Sequence, residues 1–387
     1  MRQVYLDHAA TAPIDPRVLD VVIDIYRQVA GNPESVHAFG RQARKVIDEA
    51  RHTIAKAIGA RSREIVFTSG GTEGDNMALI GVARARRAFG RHIITTAVEH
   101  HAVLRSCAYL ENCGFAVDYL GVDRDGRISL SELEDKLRGD TILVSVMYGN
   151  NEVGTLQPIR EIADLLAPHQ ALFHTDAVQA FGTVDIDVRD TPVDLLSMSA
   201  HKIGGPKGIG FLYVKDGVNL APVVHGGDQE RKRRAGTHNV PGIAGLGAAV
   251  GFVHDELPAR IAACLKLRQQ MIDGLARAGT FCRVNGSAVH YLPQILSLYF
   301  PDTPADALLA RLDLAGVAAS AGSACTAGSL EPSHVLQAMF GQDAPETKAS
   351  LRFSFGPENT ADDVEQAGKL VAKVVREIAS VREGVRH

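Results

Sequence analysis

An α/β fold, with a mostly parallel sheet flanked by helices and a second, smaller α+β domain, is the architecture this sequence predicts. Three observations predict it. From residue 65, six short β-rich runs (IVFT, HIITTAV, ILVSVMY, ALFHTDAV, VDLLSMSA and IGFLYV) are separated by helix-length segments, the rhythm of strands joined by helical crossovers. The β-rich runs then stop and resume only at ILSLYF and SLRFSF, beyond a helical stretch from about Leu257 to Ala278. The chain has 387 residues, more than one core of ordinary size takes up. The expected division is a large domain over 15–256 and a small domain from 1–14 with 257–387.

The elements follow in order. Asp15 before Pro16 reads as an N-cap and first-turn pair, and Leu19, Val22, Ile23, Tyr26 and Val29 continue a helical stripe up to Gly31. Residues 41 to 58 repeat the pattern through Val46, Ala50, Ile54 and Ala57, with Gly59 as the stop. After the strand-and-helix stretch, a closing helix carries Val364, Val371, Val374 and Ile378. Residues 318 to 333, AASAGSACTAGSLEPS, are rich in small residues and almost free of large apolar anchors, which predicts a mobile loop.

Composition narrows the function. Hydrophobic residues make up 45% and charged residues 22%, so disorder is not indicated. A net charge of -4 gives no reason to expect nucleic acid or an anionic membrane as the main partner. No apolar leader and no run near about 18 apolar residues occurs, and a cytoplasmic location is expected. The five cysteines, Cys107, Cys113, Cys264, Cys282 and Cys325, show no C-x-x-C spacing, which argues against disulfides and against a zinc site. No resident metal is expected.

Four short motifs carry chemistry. In IVFTSGGTEGDN a strand meets a glycine turn and a helix start, which offers N-H groups and a positive dipole end to a phosphate through Gly71 and Thr72; a plain helix cap at Ser69 or Thr72 fits equally well. In SAHKIGGPKG, Lys202 follows a β-rich run, where its amine can be desolvated for Schiff-base chemistry, although a loop lysine is more often solvated. Asp176 ends the strand of HTDAVQ, where a carboxylate suits a ring-nitrogen partner or a helix N-cap. His100 of VEHHAV sits at another strand end, placed to stack on an aromatic cofactor or to move protons.

These pieces occur in one order, and with YLDHAATAP, NNEVGTLQPI, RAGTHN, GSACTAGSLEPSHVL and LRFSFG the chain resembles the cysteine desulfurases from end to end. These are class V aminotransferase-like, fold-type I pyridoxal-phosphate enzymes. The resemblance implies that Lys202 carries pyridoxal 5'-phosphate, that His100 stacks on its ring, and that Asp176 pairs the ring nitrogen while Gln179 reaches the phenolic oxygen. It implies that Gly71, Thr72, Ser199 and His201 hold the phosphate, that Asn151 lines the cofactor site and contacts substrate, and that Thr237 reaches the phosphate of the other subunit of a homodimer. In SLRFSF, Leu351, Phe353 and Phe355 alternate with Arg352, so the arginine faces away from the core. A solvated arginine is the usual outcome, and the resemblance favours a clamp on the substrate carboxylate.

Cys325 selects the reaction. A thiol in a small, polar loop can be exposed and can move, whereas Cys264 lies on an apolar helical stripe, and Cys107, Cys113 and Cys282 are also read as structural. The expected reaction converts L-cysteine to L-alanine and a Cys325 persulfide, with an iron-sulfur scaffold or another acceptor protein receiving the sulfur. In such a complex Cys325 could also contact a transferred cluster. The long loop resembles that of group I desulfurases. A selenocysteine lyase or another class V aminotransferase-like enzyme is the rival reading. HGGDQERKRRAG departs from the family's GGGQE by Asp228 and adds the basic run Arg231 to Arg234, read as a solvated dimer-edge loop.

Overall fold

In the computed structural model, which describes residues 3–321 and 332–385, the β-rich runs form one seven-stranded sheet. Its order is Ile65–Thr68, Gly210–Val214, Leu195–Ser199, Leu172–Asp176, Thr141–Ser145, His92–Thr96, Ala116–Leu120. Gly210–Val214 runs antiparallel to both neighbours, and the other adjacent pairs are parallel. Five of these strands are wholly buried, besides the partly covered Leu172 of a sixth, because helices cover both faces; this is why their sequences read as continuous apolar runs. The edge strand Ala116–Leu120 has no counterpart in the sequence expectation, because its partly exposed AVDYL lacks that signature.

A second sheet, Ser350–Ser354, Ile295–Tyr299 and Arg283–Asn285, is antiparallel and backs onto its own core of Leu296, Leu298, Phe300, Leu351, Phe353 and Phe355. The N-terminal strand Val4–Tyr5 joins this body by pairing with Val317–Ala318.

The two cores share one helix, Val240–Arg277. Its first half contributes Val240, Ile243, Leu246 and Val250 to the large core, and its second half contributes Leu267, Met271 and Leu275 to the smaller one. The helix begins well before the expected Leu257, since VPGIAGLGAAVG looks too glycine-rich for a helix. Packing explains the glycines: a Cβ on Gly247 would come 2.7 Å from the Cβ of Ala50, and one on Gly245 would come 2.6 Å from Val22. Small residues there let the helix lie directly against Ala38–Ala57 and Pro16–Gln28.

Candidate active site

Parallel strands end together, and in open α/β sheets the crevice outside their carboxyl ends is where ligands bind. Here Thr68 leads into Gly71, Thr96 into His100, Ser145 into Asn151, and Ser199 into Lys202, while Asp176 is itself a strand end. Gly71, Thr72, His100, Asn151, Asp176, Gln179, Ser199, His201, Lys202 and Arg352 all line one cavity of about 400 Å³. Thr237 is exposed and does not line the cavity of its own chain. Cys325 lies outside the described residues.

One end of the cavity is an anion cradle. The helix Gly71–Ala85 begins there, with Gly70 at φ 152° before it. A side chain on Gly71 would come 2.6 Å from the Cγ2 of Val178, so only glycine lets the turn close on the strand-end loop. His201, whose Nδ1 lies 3.2 Å from Thr11 Oγ1, is pushed down to about 4 by burial and then by Lys202 and Lys207, which keeps it neutral.

The other end holds opposed charges. Asp176 is 5% exposed and accepts the Val178 N-H at 2.9 Å; burial raises its pKa, against the pull of His100 and Lys202. Lys202 Nζ donates to the carbonyls of Ala9 at 2.5 Å and Ala10 at 2.9 Å, and Gln179 Nε2 donates to the same Ala9 carbonyl at 2.8 Å. His100 caps its helix by accepting the Ala102 N-H on Nδ1 at 3.1 Å. A helix start for a phosphate, a buried carboxylate for a ring nitrogen and a lysine on the same cavity fit pyridoxal phosphate.

Arg352 is not solvated. It is 2% exposed, and its guanidinium donates to Asp7 Oδ1 at 2.9 Å and to the Asn151 carbonyl at 2.8 Å. The strand alternation did turn it from its own core, but towards Asp7 and the loop at Asn151. Backbone bonds join it to Ser320 in both directions, so the described chain reaches residue 321 from beside Arg352. On the far side, Ser333 donates to the buried Glu152, next to Asn151, and His334 Nε2 lies 2.9 Å from the Glu99 carbonyl oxygen. The described residues on either side of 322–331 therefore pack beside Arg352 and next to Asn151, both of which line the cavity.

Several site residues were not expected. Asp7, the Ala9 and Ala10 carbonyls, Asp75, Glu99 and Met147 all border the site, and the signal for Asp75 was an acid on a helix whose neighbouring buried residues are Met77, Ala78 and Leu79. Glu99 is fully buried, and that burial pushes it up to about 8. Among the thiols, Cys107 and Cys264 are buried and pushed up to about 12 and about 11, which suits structural roles; Cys113 is exposed at a helix end and so is not core. The basic run is not simply solvated either: Arg234 pairs with Glu73 at 2.7 Å, in the first turn of the cradle helix. Before it, Glu230 is buried against Arg51 at 2.7 Å and His238 at 2.6 Å.

Residues 4–367 match the aminotransferase class-V family model. The chain is 55% identical to the putative cysteine desulfurase IscS 1 of Bacillus subtilis (strain 168), over 98% of this chain and 100% of that one. The chain belongs to the class-V aminotransferase family, among its cysteine desulfurases. It is also 45% identical to the cysteine desulfurase IscS of Methanosarcina thermophila, across 98% of this chain and 94% of the relative. A solved NifS-like protein superposes with a TM-score of 0.90 at 37% identity, covering 97% of this chain and 100% of the other. A second, SspA in complex with cysteine, gives 0.82 at 37% identity, over 92% of this chain and 100% of its own. Members of this family use pyridoxal phosphate, and no helix among the described residues is long and apolar enough to cross a membrane.

Proposed function

We propose that this chain is a pyridoxal-phosphate-dependent cysteine desulfurase, which takes the sulfur of L-cysteine onto Cys325 and releases L-alanine. The observation that carries this reading is the convergence of Lys202, Asp176, the Gly71 turn and Arg352 on one cavity, with Ser320 bonded to Arg352 in both directions. Gly71, Thr72, Ser199 and His201 would hold the phosphate, Asp176 and Gln179 the ring, and Thr237 the phosphate of a second copy in a homodimer. The cofactor, when bound, supplies an electron sink conjugated to the substrate Cα. Arg352, held by Asp7 and the Asn151 carbonyl, presents its fork to the substrate carboxylate.

Lys202, as the free amine, then takes the Cα proton. His100 has Nδ1 committed to the Ala102 N-H, so taking the substrate thiol proton falls to Nε2. Cys325 thiolate attacks the substrate sulfur; the new S-S bond forms as the Cβ-S bond breaks, and the substrate remainder leaves as alanine after protonation. The persulfide passes to an iron-sulfur scaffold or another acceptor protein. The test is Cys325→Ala: the cofactor's visible absorbance stays, while alanine and sulfide no longer form in equal amounts from L-cysteine. Normal turnover by the variant would overturn the assignment. A preference for selenocysteine over cysteine in the wild type would favour the lyase reading instead.

A further inference from the structure

Behind the proposed ring site lies a row of buried polar groups that the reaction does not use. Asp75, on the inner face of the cradle helix, is 1% exposed. One oxygen each of Asp75 and Asp176 and one ring nitrogen of His100 lie within 4.8 Å of one another. Behind Asp75 stands His174, at 3.6 Å from its Oδ1, with Ser197 Oγ 3.0 Å from Nε2 and Ser145 Oγ 2.8 Å from Nδ1. All three partners are wholly buried.

We infer that Asp75 is a positioning residue that stays a neutral carboxylic acid beside Asp176, leaving Asp176 as the one negative charge facing the cofactor ring. The charges around it lead there. From the neighbouring strand come Asp176, a like charge, and His174, which burial pushes down to about 3 and so leaves neutral. From the segment before the next helix come Glu99, a second acid, and His100, which together with Lys202 lowers the pKa of Asp176 rather than that of Asp75. Two buried carboxylates this close do not both ionise, and the proton goes to the one that His100 and Lys202 do not lower. Burial first, and then Asp176, raise Asp75 well above its ordinary range, which agrees.

An ionised Asp75 would add a second negative charge to the ring site, and a neutral one sets its charge by geometry. This rests on the cofactor reading above. The test compares wild-type and Asp75→Asn holoenzyme at neutral pH by difference infrared spectroscopy and by pH titration of the visible absorbance. The wild type is expected to show a protonated carboxylic-acid carbonyl band that the variant lacks, with the midpoint of the visible titration little changed. Absence of that band, or a midpoint lowered by about a unit, would show an ionised Asp75 and overturn the inference, because a nearby negative charge favours the protonated cofactor. If the amide does not fold, Asp75→Ser gives the same infrared comparison. The infrared band is read whether or not cofactor is bound. A missing visible band in the wild type would therefore break the site reading and not this one.

Discussion

The loop at Glu230 and the cavity around Asp176 both take carboxylates out of water, but they balance them differently. Glu230 receives two guanidinium nitrogens of Arg51, the ring of His238 and the Phe67 N-H, and this pairing outweighs burial and holds it at about 2. Glu99 has the Thr96 hydroxyl and the Met147 N-H but no cation among the described residues, and burial pushes it up to about 8. Full pairing makes a pin. That pin holds Glu230, Arg231 and Lys232 at positive φ, a conformation non-glycine residues rarely adopt, in the loop leading to Thr237. Incomplete pairing makes a site whose charge depends on protons and on what binds.

Four perturbations break or sharpen this contrast. Lys202→Ala removes the cavity's amine and its cofactor attachment; visible absorbance should vanish, and alanine formation should fall by more than about 10³-fold. At the pin, Glu230→Ala strands buried Arg51 and should cost about 3 to 5 kcal/mol in denaturant unfolding. The sign with pH follows from the depressed value: the contribution of Glu230 is complete above its ordinary 4.5 and is lost as pH falls towards about 2, a slope the variant should lack.

Arg352→Lys keeps the charge but loses the fork, so KM for L-cysteine should rise about tenfold to a hundredfold while kcat changes less in steady-state assays. Glu99→Gln should act in the opposite direction to the pin. A raised acid favours the folded state while protonated, so the wild type loses stability as pH rises from 4.5 to about 8. The variant, without that loss, should gain on the order of 1 to 3 kcal/mol relative to wild type across that window. A flat difference in thermal melting between pH 5 and 8 would contradict it.

Much of this was legible from local pattern. Strands buried on both faces announce themselves as apolar runs, and a glycine or polar residue just after such a run marks the sheet end where ligands bind, which located Gly71, His100, Asp176 and Lys202. The glycine-rich start of the long helix was not legible, because its small residues answer to Ala50 and Val22 across a helix interface and not to local propensity. Arg352 was half legible: alternation named its face, but not the Asp7 that meets it from 345 residues away.

By itself, then, the sequence determined the order of elements, the strand-end chemistry and, through its motifs, the family. Those signals sit within a few residues of one another, where period and turn geometry act directly. Only the tertiary structure decided the charge balance. The Ala10 carbonyl reaches Lys202 across 192 residues and Ser333 reaches Glu152 across 181. Whether Asp75, Glu99 or Glu230 is paired depends on which side chains are buried with it, because desolvation and pairing are properties of packed neighbours and not of chain order.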